Sequence, residues 1–259
     1  MENGSMINMA QLAGVALVFM RMTGCILFNP LLGGKNFPSI FKAGLIIMLT
    51  LVIGSFAQPE TVDNINSITL LILMIKEFIV GYTIGFICTL FTYIIVFGGE
   101  LMDMQMGISM SKIYDPQSNV SMSLSATFFN ITYMFLFFTT DAHLNLIKLF
   151  LTSGEVIPYG ELQIHTELTG QIIDVFCQCT VLAVKLAMPI LATQFLMEIG
   201  VGILMKAIPQ INVFVVNIQA KLFIGLLILV LVFSPVVSFL GKSIELMFDA
   251  INASMYLLK

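Results

Sequence analysis

The sequence predicts an all-α, polytopic membrane protein: a single domain over residues 1–259, built from about six hydrophobic helical segments arranged as hairpins. Composition is the first observation, since 58% of the 259 residues are hydrophobic, 10% are charged, and the mean hydropathy is +1.01. A soluble domain is usually about half apolar and a quarter charged. The second observation is pattern, because the apolar stretches are rich in Ala, Leu, Met and Ile and lack strand-like alternation. Helices also satisfy their own backbone in lipid, so they are the predicted spans.

The predicted helices follow six apolar stretches, and the short polar separators between them predict hairpins. The fourth stretch is expected to break near Asp141, which leaves a short second piece around residues 144–151. The approximate bounds of the stretches are residues 6–32, 41–57, 68–97, 120–151, 171–197 and 211–240. The separators carry the turn residues Asn29-Pro30, Gly33-Gly34, Gln58-Pro59, Gly98-Gly99, Asp115-Pro116, Pro158-Tyr159-Gly160 and Pro209.

Several stretches fit a simple bilayer span badly. An ordinary span needs about 20 apolar residues, whereas the stretch from Ala43 to Pro59 is short. Arg21, Lys185 and Lys221 interrupt the interiors of other stretches, and each such charge costs roughly 2.5–3.5 kcal/mol on insertion scales. Lys185 and Lys221 are interpreted as partners of acids on other helices or other subunits, and Arg21 is interpreted as an intersubunit or charge site. We therefore expect many of these helices to face protein rather than lipid.

Prolines and glycines inside the stretches predict local helix shape. Pro189 and Pro235 predict kinks, because a proline removes a helix hydrogen bond. Gly81 and Gly85, four residues apart, predict a close approach of a second helix.

Charge and cysteine usage exclude several classes of function. The net charge is −4 and the eleven basic residues are scattered singly, so no basic face could follow a nucleic acid backbone. Cys25, Cys88, Cys177 and Cys179 all lie in apolar stretches, where a free thiol behaves as a small hydrophobe. Cys177 and Cys179 sit about 200° apart around a helix, and no acidic or histidine cluster lies beside them. Neither a metal ion nor any other cofactor is expected.

The sequence contains no evident catalytic constellation, so no catalytic residue is assigned. His143 and His165 lack a nucleophile and base at workable spacing. Glu100 and Asp103 share a helical face and could raise each other's pKa, as in proton paths. The alternative is a helix end that meets solvent or a lysine of a partner. The residues alone leave both interpretations open, although the structural one is favoured.

Methionines crowd into the segment from Leu101 to Val120, after the third stretch, where Met102, Met104, Met106 and Met110 fall within nine residues. Methionine is unbranched and polarizable, so a cluster fills irregular gaps and can re-pack. Such a segment could close an opening and still be displaced from it. Ordinary core filling is an equal alternative, because the chain contains 18 methionines.

Three blocks of sequence resemble the FliR family of bacterial flagellar export proteins, whose counterparts serve type III secretion injectisomes. The blocks follow one another in the family's order, and the likeness covers nearly the whole chain. The first block supplies Arg21, Gly24, Pro30, Pro38, Lys42 and Leu45, the second Gly99, Glu100, Gln105, Met106, Gly107, Ser109, Asp115 and Pro116, and the third Pro209, Gln210, Asn212, Val213, Phe214, Lys221 and Gly225.

The resemblance implies a non-enzymatic export-gate subunit in the bacterial inner membrane, at the flagellar basal body. It implies FliP, FliQ and FlhB as protein partners, unfolded flagellar subunits as export substrates, and contact with membrane lipid. It also implies helical hairpins that spiral around a central pore, and a two-part chain in which residues 1–170 are FliP-like and residues 171–259 form a FliQ-like hairpin. The family's pore plug falls on Met106, Gly107, Ile108, Ser109, Met110, Ser111, Lys112, Ile113, Tyr114, Asp115 and Pro116.

Three positions depart from the family pattern. Asp103 stands where glycine is common, and Asn217 and Gln219 replace a usual glycine and proline. The change at Asp103 leaves the packing beside the plug open.

Three other functions compete with the flagellar one. The nearest is the equivalent subunit of a virulence injectisome, because the gate is shared between the two systems. A secondary transporter of small solutes is less favoured, since its two halves usually match and the halves of this chain do not. A membrane enzyme ranks last.

Overall fold

The computed structural model describes residues 9–34, 37–56, 67–109, 123–162, 167–208 and 213–258. Within these ranges the regular structure is helical, which confirms the predicted all-α class. The helices are α1 (Met9–Leu27), α2 (Ser39–Phe56), α3 (Ser67–Met106), α4 (Leu124–Thr139), α5 (Ala142–Val156), α6 (Glu167–Ala207), α7 (Val213–Leu231) and α8 (Phe233–Tyr256).

Two of the predicted stretches are each divided between two helices. The fourth breaks at Asp141, as predicted, because this residue adopts the left-handed conformation with φ 56° and starts α5. The sixth ends as α7 at Leu231, and a further helix, α8, runs on to Tyr256, well beyond the predicted bound at residue 240. Pro235 lies in the first turn of α8, where its missing N–H would have had no helical partner. The break therefore precedes the kink predicted at Pro235.

The prediction of a turn at Gly98-Gly99 is wrong, because both residues lie inside α3, a helix of 40 residues. A β-carbon added to Gly98 would lie 3.0 Å from the carbonyl oxygen of Ala183. One added to Gly99 would lie 2.4 Å from the backbone nitrogen of Ala126. These glycines allow neighbouring backbones to approach rather than turn the chain.

Two helices, α3 and α6, are long and apolar enough to cross a membrane. The count rises to four if the pairs α4–α5 and α7–α8 each form one broken span. The apolar parts of α1 and α2 are shorter than a span. The protein is accordingly an integral membrane protein with several apolar helices of unequal length.

The chain forms two compact units. The first unit comprises Met1–Leu90, Asp141–Val175 and Leu246–Lys259, and the second comprises Phe91–Thr140 and Phe176–Glu245. The helices α3, α6 and α8 contribute residues to both.

In the first unit, α1 packs against α3 at a glycine crossing. A β-carbon added to Gly81 would lie 2.1 Å from the carbonyl oxygen of Arg21, and one added to Gly24 would lie 2.6 Å from that of Phe78. Gly85 approaches Phe28 in the same way, with a shortest distance of 3.1 Å. This geometry confirms the close approach predicted from Gly81 and Gly85, and it brings the two backbones together without intervening side chains.

Replacing Gly81 by valine is expected to destabilise the first unit by about 3 kcal/mol or more, because a backbone atom rather than a flexible side chain occupies the space. Thermal unfolding of the purified protein in detergent, followed by circular dichroism, measures the effect. Gly44→Val is the matched control, since nothing lies within 4 Å of a β-carbon there. Equal stability of the two variants would contradict the crossing.

Candidate functional site

The end of α3 lies beside the start of α4 in the second unit. The carboxylate of Asp103 accepts hydrogen bonds from the backbone N–H of Ser125, at 3.2 Å and 3.4 Å from its two oxygens, and from the Ser125 hydroxyl. Ser123 caps the same helix, since its hydroxyl oxygen accepts from the N–H of Ala126 at 3.2 Å. Asp103, Ser123 and Ser125 are all buried. The N-terminus of α4 is therefore held by its own serine and by a carboxylate of α3.

The methionines near this helix end divide between the interior and the surface. Met102 and Met106 are each 1% exposed, whereas Met104 is 68% exposed. Met106 packs against α7, because a β-carbon added to Gly225 would lie 2.4 Å from the Met106 sulfur. The amide of Gln194 meets the same glycine from α6. Side chains of α3 and α6 thus meet α7 at Gly225 in the second unit.

The segment that resembles the family's plug begins at Met106, the last residue of α3. Gly107 takes the left-handed conformation with φ 78°, and its N–H donates to the Met104 carbonyl at 3.2 Å. The N–H of Ser109 donates to the Asp103 carbonyl at 3.3 Å. Of the predicted plug residues, Met106 is buried and Gly107, Ile108 and Ser109 are half-buried. The remaining ones, Met110, Ser111, Lys112, Ile113, Tyr114, Asp115 and Pro116, lie outside the described residues.

An ion pair joins α6 and α7 in the second unit. The Lys221 ammonium donates to the Glu198 carboxylate, with side chains 20% and 39% exposed. One turn earlier on α6, the Gln194 side-chain amide donates to the Lys221 carbonyl at 2.8 Å. Lys185, on the same helix, is exposed. The charge predicted at Lys221 thus has an acidic partner within the chain.

A buried ion pair organises the first unit. Arg21 and Glu77 are each fully buried, with Nε of Arg21 2.5 Å from Oε2 of Glu77. The other two guanidinium nitrogens donate to the carbonyl oxygens of Ser153 and Ile157, both at 3.0 Å. One planar group therefore links α1, α3 and the C-terminal end of α5, which explains how an arginine is tolerated in an apolar helix.

The turn after α5 completes this network. The second carboxylate oxygen of Glu77 accepts from the N–H of Gly160 at 2.8 Å. The guanidinium carbon of Arg21 lies 4.1 Å from the centre of the Tyr159 ring, a cation–π distance. The Tyr159 hydroxyl oxygen is buried and makes no hydrogen bond to the described residues. Burial raises the pKa of this hydroxyl above its usual value of 10.0.

Comparison with known proteins identifies the family. The family of bacterial export proteins, family 1, matches residues 12–247. The chain belongs to this family. The flagellar biosynthetic protein FliR of Bacillus subtilis is 25% identical over 231 residues, covering 85% of this chain and 86% of the relative. FliR of Pectobacterium carotovorum is 26% identical over 231 residues, covering 89% and 88% respectively. The Yop proteins translocation protein T of Yersinia pestis is 25% identical over 239 residues, covering 91% and 92%.

The structure of this export-family protein brings some of the sequence-predicted residues together and leaves others apart. Asp103 and Met106 both lie buried at the end of α3, and Glu100 lies half-buried on the same helix. Asp103 is buried and bonds to Ser125, so it does not meet solvent as the structural interpretation of these acids had it. Arg21 belongs to the network of the first unit, and Lys221 to the pair between α6 and α7. Among the described residues, no group of three or more His, Cys, Asp or Glu side chains could hold a metal ion.

Sequence reasoning missed the partners of these residues. Glu77 and Glu198 carried a usable signal, because an acid inside an apolar stretch or at its end needs a cationic partner and Arg21 is the only arginine in the sequence. Ser125 and Gln194 carried none, since serine and glutamine occur in such helices for many reasons. Their roles depend on which helices pack together.

Replacing Glu77 by leucine is expected to cost about 3–5 kcal/mol, because the buried Arg21 guanidinium then loses its counter-charge. Unfolding in detergent followed by circular dichroism measures the loss. The control is Lys76→Leu, since that neighbouring side chain is half-buried and its bond to the Leu162 carbonyl is long, at 3.4 Å. A cost for Glu77→Leu as small as that of the control would rule out the network as a source of stability.

Replacing Tyr159 by phenylalanine is expected to leave stability unchanged or to raise it, since the ring stays over Arg21 and a buried hydroxyl without a partner is removed. Tyr159→Leu is expected to cost about 0.5–2 kcal/mol through loss of the cation–π contact. The two variants are compared in the same unfolding assay. A phenylalanine variant less stable than the leucine variant would argue against this contact.

Proposed function

We propose that this protein is a non-enzymatic subunit of the bacterial type III protein export gate, acting in the flagellar system. One observation carries the proposal: the export family matches residues 12–247, nearly the whole of a chain made of apolar helices. FliR of Bacillus subtilis and of Pectobacterium carotovorum align over at least 85% of the chain. The subunit acts by forming a pore and closing it, without bond chemistry.

Pore closure is assigned to the loop from Met106 to Pro116. Its described start supports this role, because the loop leaves a firmly packed helix end: Met106 is 1% exposed and lies against Gly225. An apolar constriction can exclude ions and water by dewetting. When the loop is displaced, an unfolded flagellar subunit passes, and apolar packing then reseals the pore.

Assembly with neighbouring subunits is part of the proposal. We assign FliP, FliQ and FlhB as partners, the inner membrane at the basal body as location, and the divisions 1–170 and 171–259 as FliP-like and FliQ-like parts. The exposed Lys185 and the half-exposed Glu198 support such contacts, because lipid solvates neither charge well. Large exposed apolar side chains such as Phe223, 70% exposed, provide further area for helices of other subunits or for lipid.

Deletion of Gly107–Ile113 is expected to raise ion leak in cells that express the whole gate, because the apolar seal is lost. Conductance or proton uptake measured against the unmodified gate reports the change. A Gly/Ser replacement of the same length is the control for chain connectivity, and it is expected to leak as well. Unchanged conductance in the deletion variant would contradict the assignment of this loop as the plug.

Co-purification from the membrane with FliP and FliQ, followed by mass measurement of the intact complex, tests the assembly. The expected result is a complex that contains all three proteins. A chain that purifies alone under conditions that preserve a FliP–FliQ complex would contradict the partner assignment.

An injectisome role is the alternative, and one observation favours it. The Yop translocation protein of Yersinia pestis aligns over 91% of this chain, as extensively as the flagellar relatives. Deleting the gene in its own host separates the two systems: loss of swimming with normal effector secretion supports the flagellar assignment, and the reverse supports the injectisome.

A further inference from the structure

We propose that Asp103 is a positioning residue for the segment between α3 and α4: its carboxylate binds Ser125 and so holds together the residues at the two ends of that segment. The inference rests on the proposed function of the loop, and it assigns the anchoring to one pair of side chains. It concerns only residues on either side of the loop, all of them within the second unit.

The N–H groups of the first turn of α4 show why Asp103 is needed. A helix begins with donors that have no partner within the helix. Ser123 satisfies one of them, since its hydroxyl oxygen accepts from the N–H of Ala126 at 3.2 Å, while its carbonyl accepts the first regular bond of the helix, from Thr127 at 2.9 Å. The N–H of Ser125 donates instead to Asp103, at 3.2 Å from the nearer oxygen. A side chain from α3 thus completes the cap of α4.

Charge and burial make this contact hard to open. The N-terminus of a helix carries about half a positive elementary charge, which a carboxylate stabilises. Asp103 is 1% exposed and Ser125 is 2% exposed. A carboxylate released from Ser125 at this place would be buried without that partner, which costs several kcal/mol for an ion of this size. The pair therefore stays closed while the helices around it stay packed.

A second contact fixes the orientation of α4 on α3. Gly99 lies one helical turn before Asp103, and a β-carbon added there would lie 2.4–2.7 Å from atoms of Ala126. Gly99 and Asp103 thus contact two consecutive residues of α4. Two contacts one turn apart prevent sliding as well as rotation, so α4 starts at a defined place beside the helix from which the loop departs at Gly107.

Variants at Asp103 and Ser125 test this contact in the gate assembled with its partner proteins. Asp103→Leu removes the acceptor at similar size, Asp103→Asn keeps an acceptor but no charge, and Ser125→Ala removes the hydroxyl donor. Glu100→Gln is the matched control, since it neutralises a half-buried acid on the same helix. Hydrogen–deuterium exchange of the amides of Ser125, Ala126 and Thr127 is measured together with ion leak per assembled gate.

Exchange of these amides is expected to rise about ten- to hundredfold in Asp103→Leu, as for loss of a hydrogen bond to a charged group. The rise is smaller in Asp103→Asn and Ser125→Ala, and Glu100→Gln leaves exchange unchanged. Leak per assembled gate is expected to follow the same order. Partial rescue by asparagine is the feature that a general loss of packing would not produce.

Exchange and leak that are unchanged in an assembled Asp103→Leu gate would overturn the inference, and so would equal effects of Asp103→Leu and Glu100→Gln. Should Asp103→Leu fail to assemble, the order of exchange and leak in Asp103→Asn, Ser125→Ala and Glu100→Gln decides the question. The proposed function of the loop is tested separately. If the Gly107–Ile113 deletion does not leak, that function is wrong, and the exchange data still test the contact between Asp103 and Ser125.

Discussion

The Arg21 guanidinium imposes the strictest constraint on this molecule, because a charge buried in an apolar helix must find all its partners nearby. Glu77 supplies the counter-charge, and the carbonyl oxygens of Ser153 and Ile157 accept from the remaining nitrogens. These partners come from positions 56 to 136 residues away. The arrangement of α1, α3 and the end of α5 follows from this one group, since moving any of them would leave a buried polar atom without a partner.

Close contacts between helix backbones, which glycine allows, occur in both units. Gly81 lets α3 meet α1 in the first unit, and Gly99 lets α3 meet the first turn of α4 in the second. Without the hydrophobic driving force that water provides, helices in lipid associate through such close packing and through hydrogen bonds. The loop assigned to pore closure therefore departs from a helix end held by Gly99 and Asp103 and packed through Met106.

Much of the architecture was predictable from the residues. Hydrophobicity and the lack of alternation predicted the helices. The left-handed Asp141 divides the fourth stretch where a break was predicted. The family resemblance agrees with the family match over residues 12–247. Gly98-Gly99 misled, because a glycine pair marks a turn in water-soluble proteins and a close contact between membrane helices. The extent of α8 was missed because its mixed polarity ends the apolar pattern before the helix ends.

The sequence by itself determined the class of protein. Its composition indicates a lipid environment, and in lipid the backbone must satisfy its own hydrogen bonds, as a helix does. It also indicated three basic residues inside apolar stretches, Arg21, Lys185 and Lys221. Only the tertiary structure decided the partners: Glu77 for Arg21, Glu198 for Lys221, and Ser125 for Asp103. A hydrogen bond needs two groups within about 3 Å, and that proximity depends on how distant helices pack, which no local pattern of residues records.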